Sequence, residues 1–438
     1  MNSTPEEEKN DAREGPREGE NESISRREML KLTAIAGTGV VLGMSGMATL
    51  MSLKHTDPGP GPGSGMSAMK PQTGASEAIP FYGPQQAGIV TPQQPYVCFA
   101  AFDVLHQDAG QLLKLLQEWS VASALMTAGK PLREGGNVTA PPADTGETKG
   151  LSPSNLTLTF GFGPSLFQSD GKDRFGLASE QPAELSDIPP MPGDRLNPQW
   201  CGGDIGVQAC ADDPGVAFHA IRNLAKASKG TAAIRWVQNG YIGAPDGQTP
   251  RNLFGFKDGT ANRELDSDAA RSQHVWVSSS DAPAWMANGT YLVARKIRMF
   301  LEPWDRATLA EQEITFGRLK ESGAPFGKKN EFDPAPLSQF PASSHVWLAR
   351  SAGTKMLRRA YNYVEGIDGG TGKWDAGLFF ISFQRSVKQQ FIPILSLLAK
   401  LDALNKFTSH VSSAVFACPP GAGEGGFVGE TLFRSGNR

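Results

Sequence analysis

The chain has 438 residues, more than one ordinary domain of about 100–200 residues holds, so two or three domains and a substantial core are expected. A net charge of −3 with 39% hydrophobic residues excludes the basic footprint of a nucleic-acid binder and gives no hold on an anionic membrane surface. The 50 glycines and 32 prolines are scattered rather than periodic, and the 4 cysteines form no C-x-x-C pair, which excludes a collagen-like array, a disulfide scaffold and a zinc or dithiol motif.

The first residues read as an address. Residues 5–28 are charged and mostly acidic, residues 32–53 carry no charge, and the boundary reads Ser25-Arg26-Arg27-Glu28-Met29-Leu30-Lys31. That string resembles the twin-arginine export motif S-R-R-x-F-L-K, with Met29 in place of the usual Phe. The apolar run is long enough to span a bilayer, but Gly37, Gly39, Gly43 and Gly46 dilute it, which suits an export signal better than a permanent anchor. No clean small-x-small cleavage site follows it, so a tethered product is compatible with the sequence. The Asp57–Gly65 stretch is a flexible spacer, and the folded part begins near Pro80. Export would place Cys98, Cys201, Cys210 and Cys418 where a disulfide is permitted, although buried thiols are the simpler reading.

From Tyr96 the pattern alternates between strand and helix. Tyr96–Val104 is an apolar strand; a helix from Asp108 then carries Leu112, Leu116, Trp119 and Met126 on one stripe. Strands are expected at Leu156–Phe160 and Ile205–Cys210. Gly161-Phe162-Gly163 lacks the third glycine of a dinucleotide fingerprint and reads as a strand end. Asp213-Pro214 pairs an N-cap with proline at the first helical position, opening a helix with Phe218, Ile221 and Leu224 on one side. Ala232–Gln238 completes a β-α-β-β-α-β set, the ferredoxin-like arrangement.

After residue 250 the order begins again: strand Thr290–Phe300, helix Asp305–Phe316, strand Gly377–Gln384, helix Lys388–Leu404 and strand Val411–Cys418. A long insertion separates Arg318 from Asp375, and long connections inside compact domains are commonly functional. The expected fold class is therefore α+β, with two ferredoxin-like halves.

No H-E-x-x-H, G-x-S-x-G or P-loop string occurs, which removes zinc-protease, serine-hydrolase and P-loop readings. What stands out is Gly255-Phe256-Lys257-Asp258-Gly259-Thr260, a carboxylate between glycines that permit close backbone approach. An isolated Asp-Gly is ordinarily a turn. Here the string resembles the G-x-x-D-G motif of the dye-decolourising (DyP-type) haem peroxidases, and two more matches follow in the family's order: Ser344-His345-Val346 and Met356-Leu357-Arg358-Arg359. The resemblance runs from about Phe81 to the C-terminus and is nearest the bacterial EfeB-type branch associated with iron uptake. Leu319 stands where related sequences have a histidine.

The resemblance implies haem b in the C-terminal half, with His345 as axial iron ligand, Asp258 and Arg358 as the catalytic pair, and Arg358, Leu378 and Phe380 beside the cofactor. The residue types suit that chemistry. A neutral imidazole binds ferric haem from one face. A carboxylate can take a proton from one peroxide oxygen and return it to the other. A fixed guanidinium stabilises the charge that grows as the O–O bond breaks. Leu378 and Phe380, two apart on a strand, share a face and would form an apolar wall. His106, His219, His274 and His410 have no counterpart in the family motifs and read as surface or satisfied histidines.

The expected organisation is a signal segment over 1–53, a linker over 54–79, an N-terminal domain over 80–250 and a C-terminal haem-binding domain over 251–438. The implied activity is hydrogen-peroxide-dependent one-electron oxidation of dyes, phenolic compounds or ferrous iron. A haem-binding iron-supply protein is the alternative, releasing iron with the porphyrin intact. The implied partners are the twin-arginine machinery and iron-uptake components of the membrane, with no nucleic acid.

Overall fold

A computed structural model describes residues 77–435 apart from 134–138, 246, 282 and 335–336. The expected signal segment and nearly all of the linker lie outside the described residues. Thr73–Arg438 forms one compact unit.

In the N-terminal half the order is β1 (Tyr96–Val104), α1 (Ala109–Thr127), β2 (Thr157–Phe162), β3 (Ile205–Ala211), α2 (Pro214–Ala227) and β4 (Ala232–Tyr241). Both helices start as the sequence indicates. Asp108 accepts from the amides of Gly110 and Gln111, and Asp213 from those of Gly215 and Val216 with Pro214 next to it. Leu112, Leu116 and Trp119 of α1 are buried, and the Trp119 indole donates to the Leu224 carbonyl of α2 at 3.0 Å. Phe218 departs from its expected place: it is 48% exposed, while Val216, Ala217, Ala220, Ile221 and Leu224 form the buried stripe. The 3.6-residue period centres that stripe between Ala217 and Ile221 and leaves Phe218 at its margin.

The C-terminal half contains β5 (Thr290–Met299), α3 (Leu309–Phe316), α4 (His345–Ser351), β6 (Tyr361–Ile367), β7 (Trp374–Gln384), α5 (Ile392–Leu401) and β8 (Ala414–Cys418). Strand β6 was hidden in the expected insertion, and it supplies the missing fourth strand of the second ferredoxin-like set. The expected helix Asp305–Phe316 starts later, at Leu309, because Thr308 and Glu311 form a capping box that begins α3 afresh after a separate short helix, Leu301–Asp305. The expected helix Lys388–Leu404 is also divided. A π turn at Val387–Phe391 precedes Pro393, which has no N–H for a regular helical bond, and the chain becomes extended at Asp402 before a short turn at Ala403–Lys406.

Eight antiparallel strands close into a ring. Within each half the order is that of a ferredoxin-like sheet: β4-β1-β3-β2 and β8-β5-β7-β6. The halves join through β8 with β2, at Ala417 and Phe162, and through β4 with β6, at Tyr241 and Asn362. The ring is filled by aromatic side chains from four strands. Phe99 stacks on Trp236 with centroids 5.3 Å apart and meets Phe379 and Phe416 at 5.6 and 5.9 Å. Burying each such ring contributes about 1.5–3 kcal/mol. Gly161 and Gly206 are register partners whose missing side chains admit Phe416: a Cβ at Gly161 would lie 2.6 Å from the Phe416 Cβ, and one at Gly206 2.9 Å from its ring. Gly161 thus serves close packing at the strand end. The outer face of the second sheet, covered by α4 and α5, carries the main cavity.

Candidate active site

A cavity of about 700 Å³ lies on that outer face, inside the usual ligand-pocket range of about 300–1,000 Å³, and His345, Asp258, Arg358, Leu378 and Phe380 all line it. Strand periodicity builds its apolar wall. Arg295, Ile297 and Met299 alternate along β5, and register sets Ile297 opposite Leu378 and Arg295 opposite Phe380 on β7. Leu395 and Leu398 of α5 line it as well.

Asp258 is held by the loop that carries it. The Asn252 side chain accepts from the amides of Phe254 and Phe256 at 3.1 and 3.3 Å, and both phenyl rings are buried, Phe254 against Trp304 (4.3 Å) and Phe256 stacked on Phe316 (4.2 Å). Gly259, with φ +109°, takes a left-handed turn that a side chain would strain. The Asp258 amide donates to the Pro250 carbonyl at 2.8 Å, and its carboxylate meets the Arg358 guanidinium at 3.0 Å.

Arg358 sits on a two-residue strand paired with Ser382 of β7. Asn262, just after the Asp258 loop, accepts from the Arg358 amide at 3.1 Å and donates to its carbonyl at 2.6 Å. Loop and strand are therefore fixed to each other at the backbone. The ion pair closes over a scaffold that does not depend on it.

His345 is the first residue of α4, and its Nδ1 lies 2.6 Å from Oδ2 of Asp402. A carboxylate can only accept, so Nδ1 carries the hydrogen and, in the neutral ring, the lone pair falls on Nε2. Asp402 sits where the expected long helix breaks; its Oδ1 accepts from the Leu404 amide at 2.9 Å, leaving Oδ2 for the imidazole.

Other site residues escaped the sequence reading. Arg295 is fully buried and donates through Nη2 to Asp194 at 2.7 Å, but Nε and Nη1 find no hydrogen-bond partner among the described residues. His410, expected to be a surface or satisfied histidine, instead lines the cavity with Nδ1 unpartnered among the described residues. Burial, then the neighbouring Arg295 and His345, pushes its imidazole well below the ordinary range, so it stays neutral. The signal for His410 and Arg295 was their shared end of the cavity, which no local string reveals. His219 is satisfied, as expected, by Glu147 at 3.2 Å. Cys98, Cys210 and Cys418 are buried free thiols and Cys201 a partly buried one.

Comparison with known proteins adds to this geometry. The family model described as Dyp-type peroxidase, N-terminal matches residues 86–242, and that described as Dyp-type peroxidase, C-terminal matches residues 249–423. The deferrochelatase of Escherichia coli strain K12 is 34% identical over 429 residues, covering 94% of this chain and 97% of that protein. Ferric DtpA from Streptomyces lividans superposes with a TM-score of 0.76 at 34% identity, over 84% of this chain and 100% of that one. A DyP-type peroxidase from Cellulomonas bogoriensis gives 0.74 at 36% identity, over 82% and 98%.

Proposed function

The chain belongs to the Dyp-type peroxidase family, and from that premise we propose that His345 would hold its haem iron, with Asp258 and Arg358 acting on peroxide. The enzyme is a haem peroxidase whose cofactor is haem b and whose oxidant is hydrogen peroxide. The observation that carries the site reading is the convergence, on one cavity, of an imidazole oriented by a buried carboxylate and an Asp–Arg ion pair.

The residues present fit haem. Among the described residues no three His, Cys, Asp or Glu side chains gather to hold a metal ion. A single imidazole beside an apolar cavity suits iron whose remaining donors would come from a macrocycle. At the other end, the free Arg295 donors call for an anion, since a buried donor left unsatisfied costs about 1–3 kcal/mol. A propionate carboxylate matches the guanidinium fork.

Haem, when bound, supplies the iron that exchanges electrons with peroxide and with the reductant. The protein supplies proton movement and charge. Peroxide becomes two waters by taking up two electrons and two protons, and a proton on one oxygen must reach the other as the O–O bond breaks. The Asp258 carboxylate accepts that proton and returns it as a carboxylic acid. Arg358 pairs with the Asp258 carboxylate at rest and donates hydrogen bonds to the charge growing on the leaving oxygen. Dyes, phenolic compounds and ferrous iron are the reductants this arrangement accommodates. Carrying haem for iron supply, the alternative reading for a relative of the E. coli deferrochelatase, needs only a ligand and a pocket. The Asp258–Arg358 pair favours the peroxidase reading.

Haemin titration tests the ligand assignment. Wild-type protein should saturate at one haem per chain, and Asp402→Asn, which retains the cap on Leu404 but loses the charge behind His345, should bind haem about 10–100-fold more weakly. Equal affinity and an equal iron midpoint potential in the two proteins would remove Asp402 from that role.

Export by the twin-arginine route is supported by Ser25–Lys31 and the weakly apolar run behind it. Replacing Arg26 and Arg27 together by lysine should abolish export, because lysine has no planar fork of donors. Normal amounts of the double variant outside the cytoplasm would overturn the signal assignment.

A further inference from the structure

The connection between α3 and α4 contains a buried carboxylate that belongs to none of the sequence motifs. Glu331 is 7% exposed and accepts three hydrogen bonds: from Thr249 at 2.5 Å, Thr260 at 2.7 Å and the Lys257 ammonium at 2.7 Å. All three donors come from the loop that bears Asp258, one from its entering arm and two from immediately around Asp258. We infer that Glu331 is a positioning residue for the peroxide step, tying both arms of the Asp258 loop to one point and neutralising the lysine beside the Asp258–Arg358 pair. This deepens the site reading above and rests on it.

The strap carrying Glu331 is itself fixed. Arg318 donates through Nη1 to the carbonyls of Gly323 and Glu331 at 2.6 and 2.7 Å. Gly323, at φ +72°, lies so close that a Cβ there would be 2.7 Å from Cδ of Lys257, so the lysine stem packs on bare backbone. Beyond Glu331, the Phe332 ring lies 4.2 Å below the guanidinium of Arg263, on the turn that follows Asp258. The loop is thus held from the strap on both sides of Asp258. Burial alone would raise the Glu331 carboxyl, but the bonds from Lys257, Thr249 and Thr260 outweigh it and hold the group below the usual glutamate range. Glu331 therefore stays charged through neutral pH.

Geometry gives the lock its consequence for rate. A proton carrier displaced by about 1 Å can cost about 100-fold. Without the Glu331 charge, moreover, the Lys257 ammonium would compete with Arg358 for the Asp258 carboxylate.

The test uses haem-loaded protein, stopped-flow mixing with hydrogen peroxide followed at the Soret band, and amide hydrogen exchange of the resting protein. Glu331→Gln should keep its haem, slow the second-order reaction about 10–100-fold and speed exchange across the Asp258 loop. Lys257→Met should act in the same direction, and carries the test if Glu331→Gln does not fold. In an Asp258→Asn background, Glu331→Gln should cost nothing further, because its effect passes through Asp258. A slow Asp258→Asn beside a Glu331→Gln or Lys257→Met at wild-type rate, or losses that add in the double variant, would overturn this inference alone. An Asp258→Asn as fast as wild type would overturn the site reading, and this inference with it.

Discussion

His345→Ala is expected to lose stoichiometric haem, with no wild-type Soret band after reconstitution with haemin. His345 lines the cavity, and the hydrogen bond to Asp402 commits its Nδ1 and leaves Nε2 free for the proposed bond to iron. His410, the other imidazole lining the cavity, does not replace it readily. It is partly buried beside Arg295, on the short strand Thr408–His410 paired to β5. The loss should exceed the roughly 10–100-fold expected for disturbing the Asp402 hydrogen bond alone. The variant should still fold, because His345 is partly exposed and Leu348, on the next turn, anchors α4 in the core. A Soret band and haem stoichiometry equal to wild type would remove His345 from its role.

Arg358→Leu should keep its haem and lose on the order of 10²–10³ in the rate of reaction with peroxide. Charge stabilisation is needed only as the O–O bond breaks, whereas ligation and apolar burial hold the cofactor at rest. The local structure favours a clean experiment. The backbone of Arg358 is clamped on both sides by Asn262 and paired to β7, so removing the guanidinium leaves the chain in place. Asp258→Asn should slow the reaction less, because a water bonded to Arg358 can relay the proton. Haem content and the stopped-flow rate, measured on each variant, separate binding from chemistry. Wild-type rates in both variants would exclude the pair from the peroxide step.

Local features of the sequence were enough for the elements whose causes are local. Asp108 and Asp213 cap helices through amides two and three residues away, and Gly259 occupies a left-handed turn that its own neighbours create. The order of strands and helices could therefore be read along the chain, whereas the motif around Asp258 and the segment around His345 stood out only through their resemblance to the DyP-type family. Strand β6 could not, because Val364 and Ile367 face solvent while Tyr361 and Tyr363 are buried, and its place depends on pairing with β7. The expected order carried one unbroken helix over Lys388–Leu404, through Asp402. The tertiary structure breaks it there, because a carboxylate capping Leu404 and holding an imidazole from α4 outweighs continued helical bonding. Arg295, His410 and Glu331 acquire their roles from partners far away in sequence. Their positions depend on which face of the closed sheet each side chain occupies and on where the connecting strap crosses it, so only the assembled fold decides what they do.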